Sequence, residues 1–151
     1  MNSVWRIVRR RLITLTNKKL GNDFETEFCQ TLHKHGFWVH NFAQKAEGQP
    51  ADVIASIDGK PALIDCKVCS TKRGFRLNRR EENQLLSMEL WHKTGNSFGW
   101  FALKFDDEII MVIEPVLSRL ARTKSSITLK DIKETNLCVG LEGWINLWKS
   151  Q

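Results

Sequence analysis

A chain of 151 residues, 42% hydrophobic and 26% charged, is sized for one domain with an ordinary buried core, which excludes a disordered or fibrous polymer. Its formal charge of +6 points to a polyanionic partner, nucleic acid first, and no apolar run approaches the roughly 18 residues of a membrane span. No secretory pattern opens the chain, and Cys29, Cys66, Cys69 and Cys138 are too few for a disulfide framework, so free thiols and a cytoplasmic location are expected.

Residues 1–17 interleave Arg6, Arg9, Arg10 and Arg11 with Val4, Trp5, Ile7, Val8, Leu12 and Ile13. That pattern suits a helix, a DNA-contacting arm or a membrane-surface helix, with a flexible basic arm the plainest reading. From about Asn22, the recurrence of Phe24, Phe28 and Leu32 predicts a helix with Gly36 as its C-cap. Glu25 borders the apolar stripe of this helix; a first-turn glutamate also simply favours the helix dipole. Residues 36–42 read as a strand, and a polar loop leads to residue 51.

Residues 51–67, ADVIASIDGKPALIDCK, hold two aliphatic runs around Asp58-Gly59, the strongest short signal of a two-residue hairpin. With Ile57 opposite Lys60, Ile54 falls opposite Leu63 and Asp52 opposite Asp65. Leu63, Asp65 and Lys67 then share a face with Asp52 and Ile54. Opposed like charges destabilise a ladder, so a divalent cation is a natural occupant; a one-residue slip, or solvated strand ends, is the plainer alternative. Cys66 and Cys69 are expected as buried thiols, because one C-x-x-C pair lacks the four ligands of a structural zinc site.

A basic loop follows, with Lys72, Arg73, Arg76, Arg79 and Arg80. Residues 80–93 predict a helix carrying Gln84 near its start; residues 98–105 and 108–114 predict two more strands, joined at Asp106-Asp107. Pro115 suits the start of a short helix. Beyond Ser125 the pattern is weak, with a helix at 129–134 and an unassigned tail holding Trp144 and Trp148. The order implies an α/β (α+β) fold, a mixed sheet flanked by helices. The basic segment 1–17 would precede a single domain, 18–151, whose core is 21–114 and whose C-terminal part, 115–151, is helical.

Asp52 followed by Asp65-Cys66-Lys67, on these elements in this order, resembles the restriction-endonuclease-like core of the PD-(D/E)XK nuclease superfamily. Within it the stretch 21–114 looks most like the RecU-type Holliday junction resolvases. Gly21 to Glu25 resembles their Gly-x-x-apolar-Glu, Phe75-Arg76-Leu77 their Phe-x-Leu, and Gln84 and Met88 their helical Gln and Met. The resemblance implies an endodeoxyribonuclease that resolves four-way junctions with Mg²⁺, for which Mn²⁺ can substitute. Asp52, Asp65 and the Cys66 backbone carbonyl would be ligands, and Glu25 would hold a second metal or its water. Lys67 would orient or deprotonate the attacking water or stabilise the transition state, and Gln84 would position water or phosphate. Lys72, Arg73, Arg76, Arg79 and Arg80 would hold the DNA backbone. Paired cuts would require a homodimer.

Two departures stand out. Asp65 replaces the usual Glu, and only about nine residues, 42–50, occupy the place of the long RecU stalk. The alternatives are a nuclease of this superfamily without junction preference, or a non-catalytic DNA-binding protein.

Overall fold

The computed structural model describes residues 3–42 and 49–150, with side chains from residue 18 onward. The connection at 43–48 and the side chains of the basic segment 1–17 therefore lie outside the described residues.

The first helix, α1, spans Ser3–Lys34. It starts well before Asn22, and Gly21 lies inside it rather than opening it, because no proline interrupts residues 3–21 and their Arg, Leu and Lys content favours helix. Phe24, Phe28 and Leu32 are buried along one stripe. Gly36, at φ +91°, ends the helix. The Phe37 N–H reaches the Leu32 carbonyl at 3.2 Å and the Gly36 N–H that of His33 at 3.0 Å, so the last orphan carbonyls are satisfied in a Schellman turn.

The strands are β1 (Trp38–Asn41), β2 (Val53–Ile57), β3 (Lys60–Cys69) and β4 (Phe75–Arg76); a 3₁₀ turn at Leu77–Arg79 precedes α2 (Glu82–Lys93). Then come β5 (Trp100–Phe105), β6 (Glu108–Ile113), α3 (Glu114–Leu120), β7 (Ser126–Ile127), α4 (Leu129–Glu134), β8 (Cys138–Gly140) and α5 (Leu141–Ser150). Six strands form one sheet in the order β1-β2-β3-β5-β6-β8. All neighbours are antiparallel except β3 and β5, which are parallel because α2 crosses over between them.

Side chains alternate across this sheet and so build two cores. On one face Leu63, Phe101, Leu103 and Phe105 pack with Met88 of α2, Val116 and Leu117 of α3, and Ile132 of α4. On the other, Ile64, Cys66, Ala102 and Met111 pack with Phe24, Phe28 and Leu32 of α1 and with Trp144, Ile145 and Trp148 of α5. Cys66 and Cys69 are free and buried in opposite cores, as period-two alternation requires of residues three apart.

The weakly patterned tail turns out to be structural. Trp144 stacks on Phe37 and Trp148 at 5.8 and 5.0 Å, and the Trp148 indole N–H donates to the Lys60 carbonyl at 3.1 Å. Thr128 and Asp131 form a reciprocal capping box that starts α4. β7 pairs with β4, and Ser126 Oγ donates to the Arg73 carbonyl at 2.9 Å, so the tail pins the basic loop.

Candidate active site

Asp58 and Gly59 take φ of +50° and +73°, the left-handed pair of a tight hairpin turn. Ile57 pairs with Lys60, Ile54 with Leu63 and Val53 with Ile64. Asp52 therefore sits one step past the last bonded pair of β2. Its Oδ2 accepts the Cys66 N–H at 2.9 Å, so the carboxylate takes the ladder position that β2 vacates. Backbone groups alternate sides along a strand, and the Cys66 carbonyl opens on the side of its own N–H, toward Asp52.

Asp65 is wholly buried. Its Oδ1 accepts from Gln84 Nε2 at 2.8 Å, and Lys67 Nζ lies 3.1 Å from its Oδ2. The lysine contact is an ion pair without hydrogen-bond alignment: among the described residues Asp65 Oδ2 has no hydrogen-bond partner, and neither has Gln84 Oε1. Burial above all, then the Asp52 charge, holds the Asp65 carboxyl well above the usual carboxylate range, and Lys67 only partly opposes them. A desolvated carboxylate with an unbonded oxygen, beside a second carboxylate, has the oxygen donors of a hard divalent cation. The residues present fit such an ion.

Glu25 is also buried, at 7% exposure, but it comes from α1, which packs on the Cys66 face of the sheet. Burial, followed by the charges of Asp52, Asp65 and Glu25, pushes the Cys66 thiol up, so Glu25 is electrostatically part of the same neighbourhood. Among the described residues, however, no three His, Cys, Asp or Glu side chains converge on one point as a metal cluster. The structure thus brings together Asp52, Asp65, Lys67 and Gln84, and Glu25 reaches the same neighbourhood from α1, its charge and that of Asp52 both raising the Cys29 thiol.

The basic residues divide. Lys72, Arg73, Arg76 and Arg79 are exposed. Arg79 is held by the Val68 carbonyl at 2.8 Å and lies over the Phe75 ring. Arg80, also expected to hold DNA, is partnered within the protein. Its guanidinium donates to the Leu77 carbonyl and to Ser118 Oγ, both at 3.0 Å, and stands 3.8 Å from Glu114, so it ties α3 to the loop. Sequence reasoning missed Asn83, whose Nδ2 donates to the Gln49 carbonyl at 3.2 Å and anchors the chain just before Asp52. Its position beside Gln84 was the available signal.

With this geometry in hand, comparison with known proteins is informative. The family model described as archaeal Holliday junction resolvase (Hjc) matches residues 16–151. The chain belongs to the archaeal Holliday junction resolvase family. Among solved structures, the Hjc of Archaeoglobus fulgidus, described as a Holliday junction resolvase from an archaeal hyperthermophile, superposes with a TM-score of 0.57 at 17% identity. The match covers 83% of this chain and 99% of that one, and it establishes the shared fold. No curated protein sequence matches.

As an Hjc-family member, the protein is a nuclease that resolves four-way DNA junctions, from a class that uses a divalent metal. The family shown is Hjc, which lies in the same PD-(D/E)XK-type resolvase superfamily as the RecU type. Nearly all of the Hjc neighbour is covered, so the short connection between β1 and β2 leaves no stalk-sized piece of that fold unmatched. Among the described residues no helix is long and apolar enough to cross a membrane.

Proposed function

We propose that this Hjc-family protein is a Mg²⁺-dependent endonuclease whose catalytic residues are Asp52, Asp65, Lys67 and Gln84, with Glu25 in support. The observation that carries this reading is the buried Asp65, held by Gln84 through one oxygen, while the other lies 3.1 Å from Lys67 Nζ and has no aligned hydrogen bond among the described residues. Asp52, Asp65 and the Cys66 carbonyl would hold the ion. When bound, Mg²⁺ supplies positive charge to the scissile phosphate and polarises the attacking water; Mn²⁺ substitutes for it.

The chain's own groups do the rest. Gln84 locks the Asp65 rotamer and offers its Oε1 as an acceptor that orients water. Lys67 Nζ, 3.1 Å from Asp65 and on the same face, steadies the negative charge that builds on the phosphate. Glu25 would accept from a water on the α1 side. Lys72, Arg73, Arg76 and Arg79 would hold flanking phosphates, and they sit on a loop fixed by β7. Phe75, Leu77, Gln84 and Met88, the register that resembles RecU, are read as features common to both resolvase types. Residues 18–151 would form one catalytic domain in the cytoplasm, with the basic segment 1–17 leading into it.

Two symmetric cuts need two sites, and hence a homodimer. Leu86 and Leu90 of α2 and nearby Phe98 are exposed, and this side of α2 borders a groove of about 380 Å³. An exposed apolar patch of this kind supports a two-fold contact.

The test is cleavage of matched four-way junction and linear duplex DNA, with Mg²⁺ or EDTA, by wild type and Asp65→Ala. Symmetric nicks near the branch point, absent with EDTA and in the variant, are expected. Cutting by Asp65→Ala at the wild-type rate would overturn the assignment.

A further inference from the structure

β1 is an edge strand, and one of its faces is aromatic. Trp38 pairs with Ser56 and His40 with Ile54. Continued by one pair, that register sets Phe42 opposite Asp52, where the Phe42 N–H donates to the Asp52 carbonyl at 2.9 Å. Directly opposed residues point to the same side of a sheet, so Trp38, His40 and Phe42 lie on the face of Asp52 and Asp65. Along the row, Trp38 and His40 are 6.2 Å apart and 14° from parallel, and Phe42 meets His40 edge to face at 5.2 Å. Trp38 is 61% exposed.

We propose that this row is a stacking platform for an unstacked nucleobase of the DNA, continuous with the carboxylate site. The inference rests on the nuclease reading above. An edge strand open to water ordinarily carries charges on its outer face. Here the outer face carries flat rings, and Val39, between them, turns into the core. A nucleobase fits such rings, because it presents an apolar π-face while its phosphate stays with the basic loop. The protein's charge of +6 favours the polyanion over a neutral partner. The four residue steps from Trp38 to Phe42 span about 14 Å, or roughly four stacked base steps, so a base on Trp38 lies within about four nucleotides of a phosphate at Asp52. At a branch point base stacking is interrupted, which leaves a π-face to be covered.

The test is binding in EDTA of a four-way junction carrying 2-aminopurine at the branch point, and of a linear duplex, by wild type, Trp38→Ala, Trp38→Phe and His40→Ala. Trp38→Ala should weaken junction binding by about fivefold to a hundredfold and abolish quenching of the 2-aminopurine fluorescence. Trp38→Phe should retain most of both, and His40→Ala should fall between. Duplex affinity should stay unchanged, as should the dependence of junction affinity on salt, because a stacked base releases no counterions. Unaltered junction affinity and quenching, or an equal loss on both DNAs, would overturn the proposal. So would a change in the sedimentation of Trp38→Ala, which would assign the row to a second copy of the chain. Cleavage by Asp65→Ala on the same junction reports separately on the nuclease reading.

Discussion

Gly99→Ala bears on how the site is held, because Gly99 sets the distance between α2 and the sheet. It lies just before β5, and a Cβ there would meet Met88 Cγ, Sδ and Cβ at 2.3, 2.6 and 2.7 Å. Carbon atoms rest about 3.5–4.0 Å apart, so the helix has to retreat by something on the order of 1 Å. Met88 follows Gln84 by one helical turn, and that retreat stretches the 2.8 Å bond from Gln84 to Asp65. Overpacking costs about 1–3 kcal/mol and a weakened bond to a charged group a similar amount, which together gives about 2–6 kcal/mol. For a domain of this size that lowers Tm by roughly 4–24 °C. Urea unfolding, paired with junction cleavage at a temperature where the variant is folded, should show both the loss of stability and at least a tenfold fall in kcat. Adding Met88→Ala removes the two nearest obstacles, so the double variant should be more stable than the sum of the single losses by about 1 kcal/mol or more. Wild-type stability in Gly99→Ala, or lost stability with undiminished kcat, would refute the coupling of α2 to Asp65.

Asp65→Asn tests the buried carboxylate by pH. The folded protein holds the Asp65 proton more tightly than the unfolded chain, so its contribution is most favourable below the ordinary value of 3.8 and is lost as pH rises through the raised folded value. In EDTA, the stability of wild type should therefore fall relative to Asp65→Asn as pH rises above 3.8, and parallel curves would sink the assignment. Arg79→Ala and Arg80→Ala should separate by phenotype. The first should weaken junction binding and lower the salt slope by about one, while the second should leave the slope alone and cost about 1–3 kcal/mol in urea unfolding. Leu86→Glu with Leu90→Glu should shift the protein from dimer to monomer in sedimentation and uncouple the two nicks; an unchanged dimer would place the interface elsewhere. Gly74→Ala should loosen the basic loop, because Gly74 sits at φ +72° and a Cβ would fall 2.3 Å from the Ile127 carbonyl oxygen. Its signature is faster amide exchange at β4 and β7, and unaltered exchange there would contradict it.

Much of the frame was legible because it is local. The Asp58-Gly59 turn dictates the register of β2 on β3 through backbone conformation alone, and that register carries Asp52 to the position facing Asp65. The helical periods of α1 and α2, the Gly36 cap and the α4 span are likewise written in short-range spacing. β8 and α5 were not legible, since three-residue strands and a tryptophan cluster acquire their meaning only from the sheet edge and hairpin they cover. The partners of the Arg80 side chain were hidden for the same reason: Ser118 and Glu114 are more than 30 residues away in sequence.

By itself, then, the sequence determined the chemistry on β3, since alternation along one strand sets Asp65 and Lys67 on one face and Cys66 on the other. Only the tertiary structure decided which helix meets which face. α2 brings Gln84 to Asp65, while α1 lays Phe24, Phe28 and Leu32 on the Cys66 face. That choice depends on the parallel crossover between β3 and β5 and on which apolar stripes fill the two cores, and neither is encoded within any single stretch of chain.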